Sequence, residues 1–143
     1  MRHVCRNMQE LETALMSEIR KVMNVVSEKA LADMQEETWG FYSDTQPKVY
    51  ERTGALGDTP RTTALQVSRN GVSFRAFLDT SHRYTTGKYP TMLDVLNLAN
   101  YHTVNSSVGY LRETVGRPGF WERANTKIYR SFNDTLATFF RRI

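Results

Sequence analysis

The longest regular pattern in the chain lies near its start. Between residues 8 and 38 apolar side chains recur at Met8, Leu11, Leu15, Ile19, Val22, Val26 and Ala30, in steps of three or four. That spacing lays one stripe along an α-helix and leaves Glu10, Glu12, Glu18, Lys21, Glu28 and Asp33 on other faces. No Gly or Pro interrupts it before Gly40. At 1.5 Å per residue such a helix runs about 45 Å, more than a compact domain of this size spans. Part of it must project, bend or pack on another chain, unless it breaks near Glu28. Met16, Met23 and Met34 widen the apolar surface beyond one stripe, which favours a partner.

A second pattern has period two. Residues 61–69 and 72–79 flank Asn70-Gly71, the pair preferred in a two-residue type I′ turn because both positions need positive φ. That turn pairs Arg69 with Val72, Val67 with Phe74, Leu65 with Ala76 and Thr63 with Leu78. One face then carries Leu65, Val67, Val72, Phe74, Ala76 and Leu78, and the other is polar except at Ala64 and Phe77. Phe74 is expected in the core. Ala64 and Phe77, opposite each other, would mark a contact with another element or subunit.

The end of the chain is helical again, with Trp121, Ala124, Ile128, Phe132, Leu136, Phe139 and Ile143 on one stripe. Glu122 stands at its start and Arg141-Arg142 at its end, as the helix dipole favours. A shorter helix is predicted from Thr91, an N-cap with Asp94 three residues on, to about Asn100. Residues 101–118 stay open; Val104, Val108 and Leu111 would support another strand. Gly40, Pro47, Gly54, Gly57 and Pro60 punctuate a long loop between the first helix and the hairpin. The expected architecture is a single α+β domain over residues 1–143. It comprises a long helix over 1–38, an interfacial loop over 40–60, and a sheet with the terminal helix over 61–143.

Composition adds limits. The 143 residues are 40% hydrophobic and 24% charged, within the globular range. No apolar run approaches the ~20 residues of a membrane span, and residues 1–6 lead into polar sequence rather than a signal-peptide core, so a soluble, unexported chain is expected. A single cysteine excludes an internal disulfide and a cysteine-built metal cage, and Cys5 reads as a passive thiol. The net charge of +4 is uneven. Residues 1–47 carry five Lys/Arg against eight Asp/Glu, a net of −3, and residues 48–143 carry fourteen against seven, a net of +7. A chain so polarised suits binding to a copy of itself or to an acidic partner.

Catalysis needs convergent groups, and the sequence offers few. His3, His82 and His102 lack metal-ligand spacing. Ser81-His82 beside Asp79 and Asp58 has the letters of a triad but reads as a polar turn. Glu36-Glu37, with Asp44 nearby, reads as surface acids, and residues 54–59 lack the Gly-Lys-Ser/Thr ending of a phosphate loop. No enzyme activity, cofactor or metal is expected. Trp39, Phe41, Tyr42 and Tyr50 near Lys48 and Arg52 would suit base stacking, or would simply pack on the domain.

Two segments carry a likeness. Tyr42-x4-Pro47-x2-Tyr50-x-Arg52-Thr53-Gly54-x-Leu56, between a long helix and a hairpin, resembles the tailed-bacteriophage tail-component family of small neck proteins, described as tail-completion, head–tail joining or minor capsid proteins. Gly116-Arg117-Pro118-Gly119-Phe120-Trp121-Glu122 is similar to that family's start of the closing helix, and Thr86-Gly87-Lys88-Tyr89-Pro90 also recurs in it. Gly57-Asp58-Thr59-Pro60 departs from the family, which usually places Ser or Asn there. The resemblance implies an α+β structural protein of the virion neck or tail, made in the host cytoplasm. It would form a homo-oligomeric ring, six-fold, between portal and tail tube, touching neighbouring neck and tail proteins and surrounding DNA without binding membrane. Tyr42, Tyr50, Arg52, Thr53, Gly54 and Leu56 would form its joining interface: Arg52 a charge anchor, Thr53 a turn cap, Gly54 a positive-φ or close-approach position, Leu56 a plug for the core or a neighbour. The alternative is a nucleic-acid-binding accessory protein of a phage or mobile element. A third class, a small hydrolase, would need Asp79, Ser81 and His82 to converge.

Overall fold

The computed structural model describes residues 4–43, 53–83, 91–101 and 117–142. Its first element, α1 (Met8–Gly40), is an unbroken helix of 33 residues, about 50 Å long. Asn7 caps it: its side-chain oxygen accepts the Glu10 N–H at 2.9 Å, and the Glu10 carboxylate accepts the Arg6 N–H at 2.8 Å. The two side chains satisfy amide groups that the first turn cannot. The break near Glu28 does not occur. Four short strands follow, β1 (Pro60–Thr62), β2 (Gln66–Ser68), β3 (Gly71–Ser73) and β4 (Ala76–Leu78), then α2 (Met92–Tyr101) and α3 (Phe120–Arg142). Thr91 caps α2 as expected, accepting the Asp94 N–H and donating its hydroxyl to the Asp94 carboxylate. The fold class is α+β. The expected strand at Val104, Val108 and Leu111 lies outside the described residues.

The hairpin corrects the register read from the sequence. Val67 pairs with Val72 and Ser68 with Gly71, so the turn residues are Arg69-Asn70 and Gly71 belongs to a strand. Gly54 and Gly119 are the described glycines at positive φ, and Gly71 is not among them. Further out, Thr62 pairs with Ala76, Arg61 with Phe77 and Pro60 with Leu78. The inner ladder is thus displaced by two residues from the expected pairing and the outer one by three. The odd residue sits between them. Thr63 N–H donates to the Arg75 carbonyl at 2.9 Å, the Arg75 N–H donates to the Thr63 hydroxyl at 2.9 Å, and Ala64 and Leu65 together then oppose Phe74. Such a bulge turns one ladder against the other, so no single apolar face runs through both. Phe74 is only half-buried, Val67 is exposed, and Phe77 faces Arg61 rather than Ala64.

The core gathers where α1 ends. Phe41, Leu56, Met92, Leu96, Ala99 and Phe120 pack together, with Tyr42, Leu78, Val95 and Trp121 around them. From there α3 runs antiparallel along α1. Glu37 meets Lys127 at 2.7 Å, and one turn on Asp33 accepts the Ser131 hydroxyl at 3.1 Å. At equal rise per residue the end of α3 draws level with about Val22. Burial agrees: within α1 the buried side chains are Met23, Val26, Ala30, Met34, Glu37 and Thr38, and none of residues 8–22 is buried. Strands β1, β3 and β4 also touch α1. No helix among the described residues is long and apolar enough to cross a membrane.

Candidate interface at the end of the long helix

The Arg-Thr-Gly-x-Leu stretch begins beyond what the structure describes: Tyr50, Arg52 and Lys48 fall outside the described residues. From Thr53 on it forms a compact turn against the end of α1. The Thr53 hydroxyl accepts the Ala55 N–H at 3.3 Å, and Gly54 has φ +79°, the backbone that favours glycine. Leu56 is buried in the core of its own chain, which makes it a plug for the domain and takes it away from a neighbour. The Leu56 carbonyl accepts both the Thr59 hydroxyl, at 2.8 Å, and the Thr59 N–H, at 3.2 Å, closing the turn.

Gly57, read from the sequence as loop punctuation and as the start of a departure from the resembled family, is sterically the tightest of the described glycines. A Cβ there would lie 2.4 Å from Cε2 of Trp39, and one at Gly54 would lie 3.2 Å from Cη2 of the same ring. The indole therefore lies directly on the backbone of a Gly-x-x-Gly turn while its other side stays open to solvent, about half the residue being exposed. Tyr42 leans on it at 5.4 Å between ring centroids, and Phe41 meets Tyr42 edge-on at 5.6 Å. The signal was present in the sequence as two glycines three apart, but nothing local linked them to Trp39. Of the aromatic group considered for base stacking, Phe41 is core, Tyr42 half-buried and Trp39 half-open.

A second joint explains the Gly-Phe-Trp-Glu segment. Gly119, at φ +75°, turns the chain so that its N–H donates to the Asn100 carbonyl at 2.8 Å. The Asn100 side chain then accepts the Trp121 N–H at 2.9 Å and donates to Glu122 at 3.0 Å. Asn100, the last buried residue of α2, thus caps α3 from outside it. Phe120 goes wholly into the core.

Between α1 and α3 lies a polar seam that the sequence reading placed on the surface. Glu36 is indeed exposed, but Glu37 is 7% exposed. Its carboxylate accepts from Arg123 Nε at 2.6 Å and from Lys127 Nζ at 2.7 Å, and Lys127 also reaches Glu36 at 3.0 Å. Burial alone pushes the Glu37 carboxyl up; hydrogen bonds and charge from Lys127 and Arg123 outweigh it and hold the group below its ordinary value. Lys127 is raised correspondingly, chiefly by its hydrogen bond to Glu37. The pairing clamps the two helices in one axial position.

The remaining chemical candidates are turn residues. The Asp79 carboxylate accepts the Ser81 N–H at 2.9 Å, and hydrogen bonds from Ser81, the side chain first, lower its pKa. Ser81 and His82 are exposed. Among the described residues no three His, Cys, Asp or Glu side chains gather to hold a metal, and His3 and His102 fall outside them. The model of one protein family, YomN, matches residues 7–142. No curated protein and no solved structure matches the chain.

Proposed function

This chain belongs to the YomN family, which carries the name of a phage- or prophage-associated protein, and we propose that it is a structural protein of the virion neck. In this reading copies assemble as a ring that completes the tail and joins it to the head around the DNA channel. It works mechanically, without catalysis, cofactor or metal. One observation carries the reading above the others: the first turns of α1 extend beyond the reach of α3, and Met8, Leu11 and Leu15 of the apolar stripe are exposed there. A protein that acts alone gains nothing from such an arm, whereas a ring subunit needs surfaces that only a neighbour covers. Joining is assigned to the Tyr42–Trp39 corner and, on the sequence alone, to Tyr50 and Arg52. Arg52 offers a planar fork for a carboxylate, and Tyr50 is an anchor of the type interfaces favour.

Sedimentation and native mass measurement of the full chain, alone and with tail tubes, test the ring. Discrete multimers on tail ends are expected; a chain that stays monomeric in both settings sinks the proposal. The Tyr50→Ala, Arg52→Ala double variant tests the corner. It should fold with near-normal thermal stability yet leave heads and tails apart, and normal joining would remove this stretch from the interface.

A further inference from the structure

Among the described residues two surfaces are exposed and opposite in character. The first is the arm of α1. The face that is buried from Met23 onward continues toward the N-terminus through the half-buried Ile19 to Leu15, Leu11 and Met8, which are exposed. Met8 is 79% exposed and Leu15 41%. Glu12 lies beside this stripe, one residue from Leu11 and four from Met8, and is exposed.

The second surface is the outer ladder of the sheet. Side chains alternate across a strand, so Pro60, Thr62, Ala76 and Leu78 share the inward face, where they are buried or half-buried. Arg61, Thr63, Arg75 and Phe77 share the outward one. Phe77 sits directly across from Arg61 and two residues from Arg75, and is 36% exposed. Arg61 is tied to its own loop, with Nη1 donating to the Asp58 and Pro60 carbonyls at 2.6 and 2.8 Å. Arg75 is exposed. One ladder face thus presents an aromatic ring bracketed by guanidinium groups.

We propose that these two surfaces meet between copies: the arm of one subunit lies across the outward β1–β4 face of the next, Phe77 against Leu11 and Leu15, and Arg75 against Glu12. The proposal deepens the ring reading and rests on it. Within a single chain β1 and β4 lie against α1, and the side chains buried or half-buried there are those of the opposite face, Pro60, Thr62, Ala76 and Leu78, so the outward face is left to a neighbouring copy. The contact is head-to-tail, since arm and ladder are different patches, and a head-to-tail contact repeated with rotation closes a ring. The apolar stripe supplies the area and the opposite charges the register.

The experiment uses the full chain with Cys5→Ser, in one preparation carrying Leu15→Cys and in another Phe77→Cys, mixed under mild oxidation at low salt. A disulfide between unlike variants is expected, and a chain carrying both new cysteines should give covalent ladders. Self-linked Leu15→Cys dimers without mixed species overturn the proposal in favour of a two-fold helix pair. Independently, Glu12→Lys should raise the concentration needed for assembly about tenfold, and adding Arg75→Glu should bring it back. Circular dichroism checks that each variant is folded. Failure of the rescue, or an Arg75→Glu chain that assembles normally but loses oligonucleotide binding, also overturns it, the latter toward a nucleic-acid surface. Ring assembly without the mixed crosslink removes this contact and leaves the neck reading standing, whereas a wild-type chain that never assembles removes both.

Discussion

The two ends of α1 follow the same rule and meet different fates. Along residues 23–38 the helix presents Met23, Val26, Ala30, Met34 and Glu37 to α3 and the sheet, and all are buried. Along residues 8–22 the stripe repeats with the same spacing, but its cover thins out: Val22 and Ile19 are half-buried, and Leu15, Leu11 and Met8 are exposed. Periodicity specifies which face of a helix is apolar, and cover is supplied by whatever lies opposite. Here α3 is 23 residues long against 33, so the shorter helix runs out first. A stripe exposed at one end and buried at the other is the surface that the ring proposal assigns to a neighbour, and covering it would contribute about 25 cal/mol per Å² of apolar area.

The comparison is tested most directly by making the same change at both ends. Met34→Ala, at a side chain with no exposure, should lower stability by about 2–5 kcal/mol in thermal or urea unfolding. A loss near zero would mean that α3 does not seal this half of α1. Removing the clamp is the next largest effect. Glu37→Ala should cost about 2 kcal/mol, less than the ~3–5 of a fully buried pair, because Arg123 and Lys127 keep partial contact with water. The same carboxyl sets a pH signature. Its folded pKa lies below the ordinary value near 4.5, so its contribution is present above that pH and fades as pH falls through the lower, folded value. Lys127 has the opposite sense: raised above 10.5, its contribution is full below that pH and is lost as pH rises through the folded value. Acid unfolding of Glu37→Ala should accordingly be shallower than that of the natural chain as pH falls from the ordinary value near 4.5 through the lower, folded one.

Gly57→Ala should cost roughly 1–3 kcal/mol by forcing the Trp39 ring off the turn. In a Trp39→Ala background the same change should cost far less, and a double-mutant cycle measures the difference. The smallest effect belongs to the arm. Met8→Ala should move the stability of the isolated subunit by no more than about 0.5 kcal/mol. It should nevertheless weaken self-association in sedimentation, and this split between folding and assembly is what separates the two ends of the helix. Raising salt should weaken assembly as well, since exposed charge pairs are screened beyond about 10 Å at 0.1 M.

Several features were legible from the chain alone because the forces behind them act within a few residues. The length of α1, the Thr91 cap on α2, the dipole-matched ends of α3 and the positive φ of Gly54 all depend on neighbours no more than four positions away. Other features required the folded chain. Asn70-Gly71 favours its own turn, yet the outer ladder is held by Pro60 and Leu78 against α1 and the core, and the bulge at Ala64-Leu65 absorbs the mismatch. Glu37 reads as one of two surface acids until Arg123, 86 positions later in the chain, lies beside it. Gly57 reads as punctuation until Trp39 comes down on it. The covered and exposed ends of α1 share one apolar spacing and differ in what lies opposite, α3 and the strands at one end and no described element at the other, which is set by how the elements dock rather than by the helix's own residues.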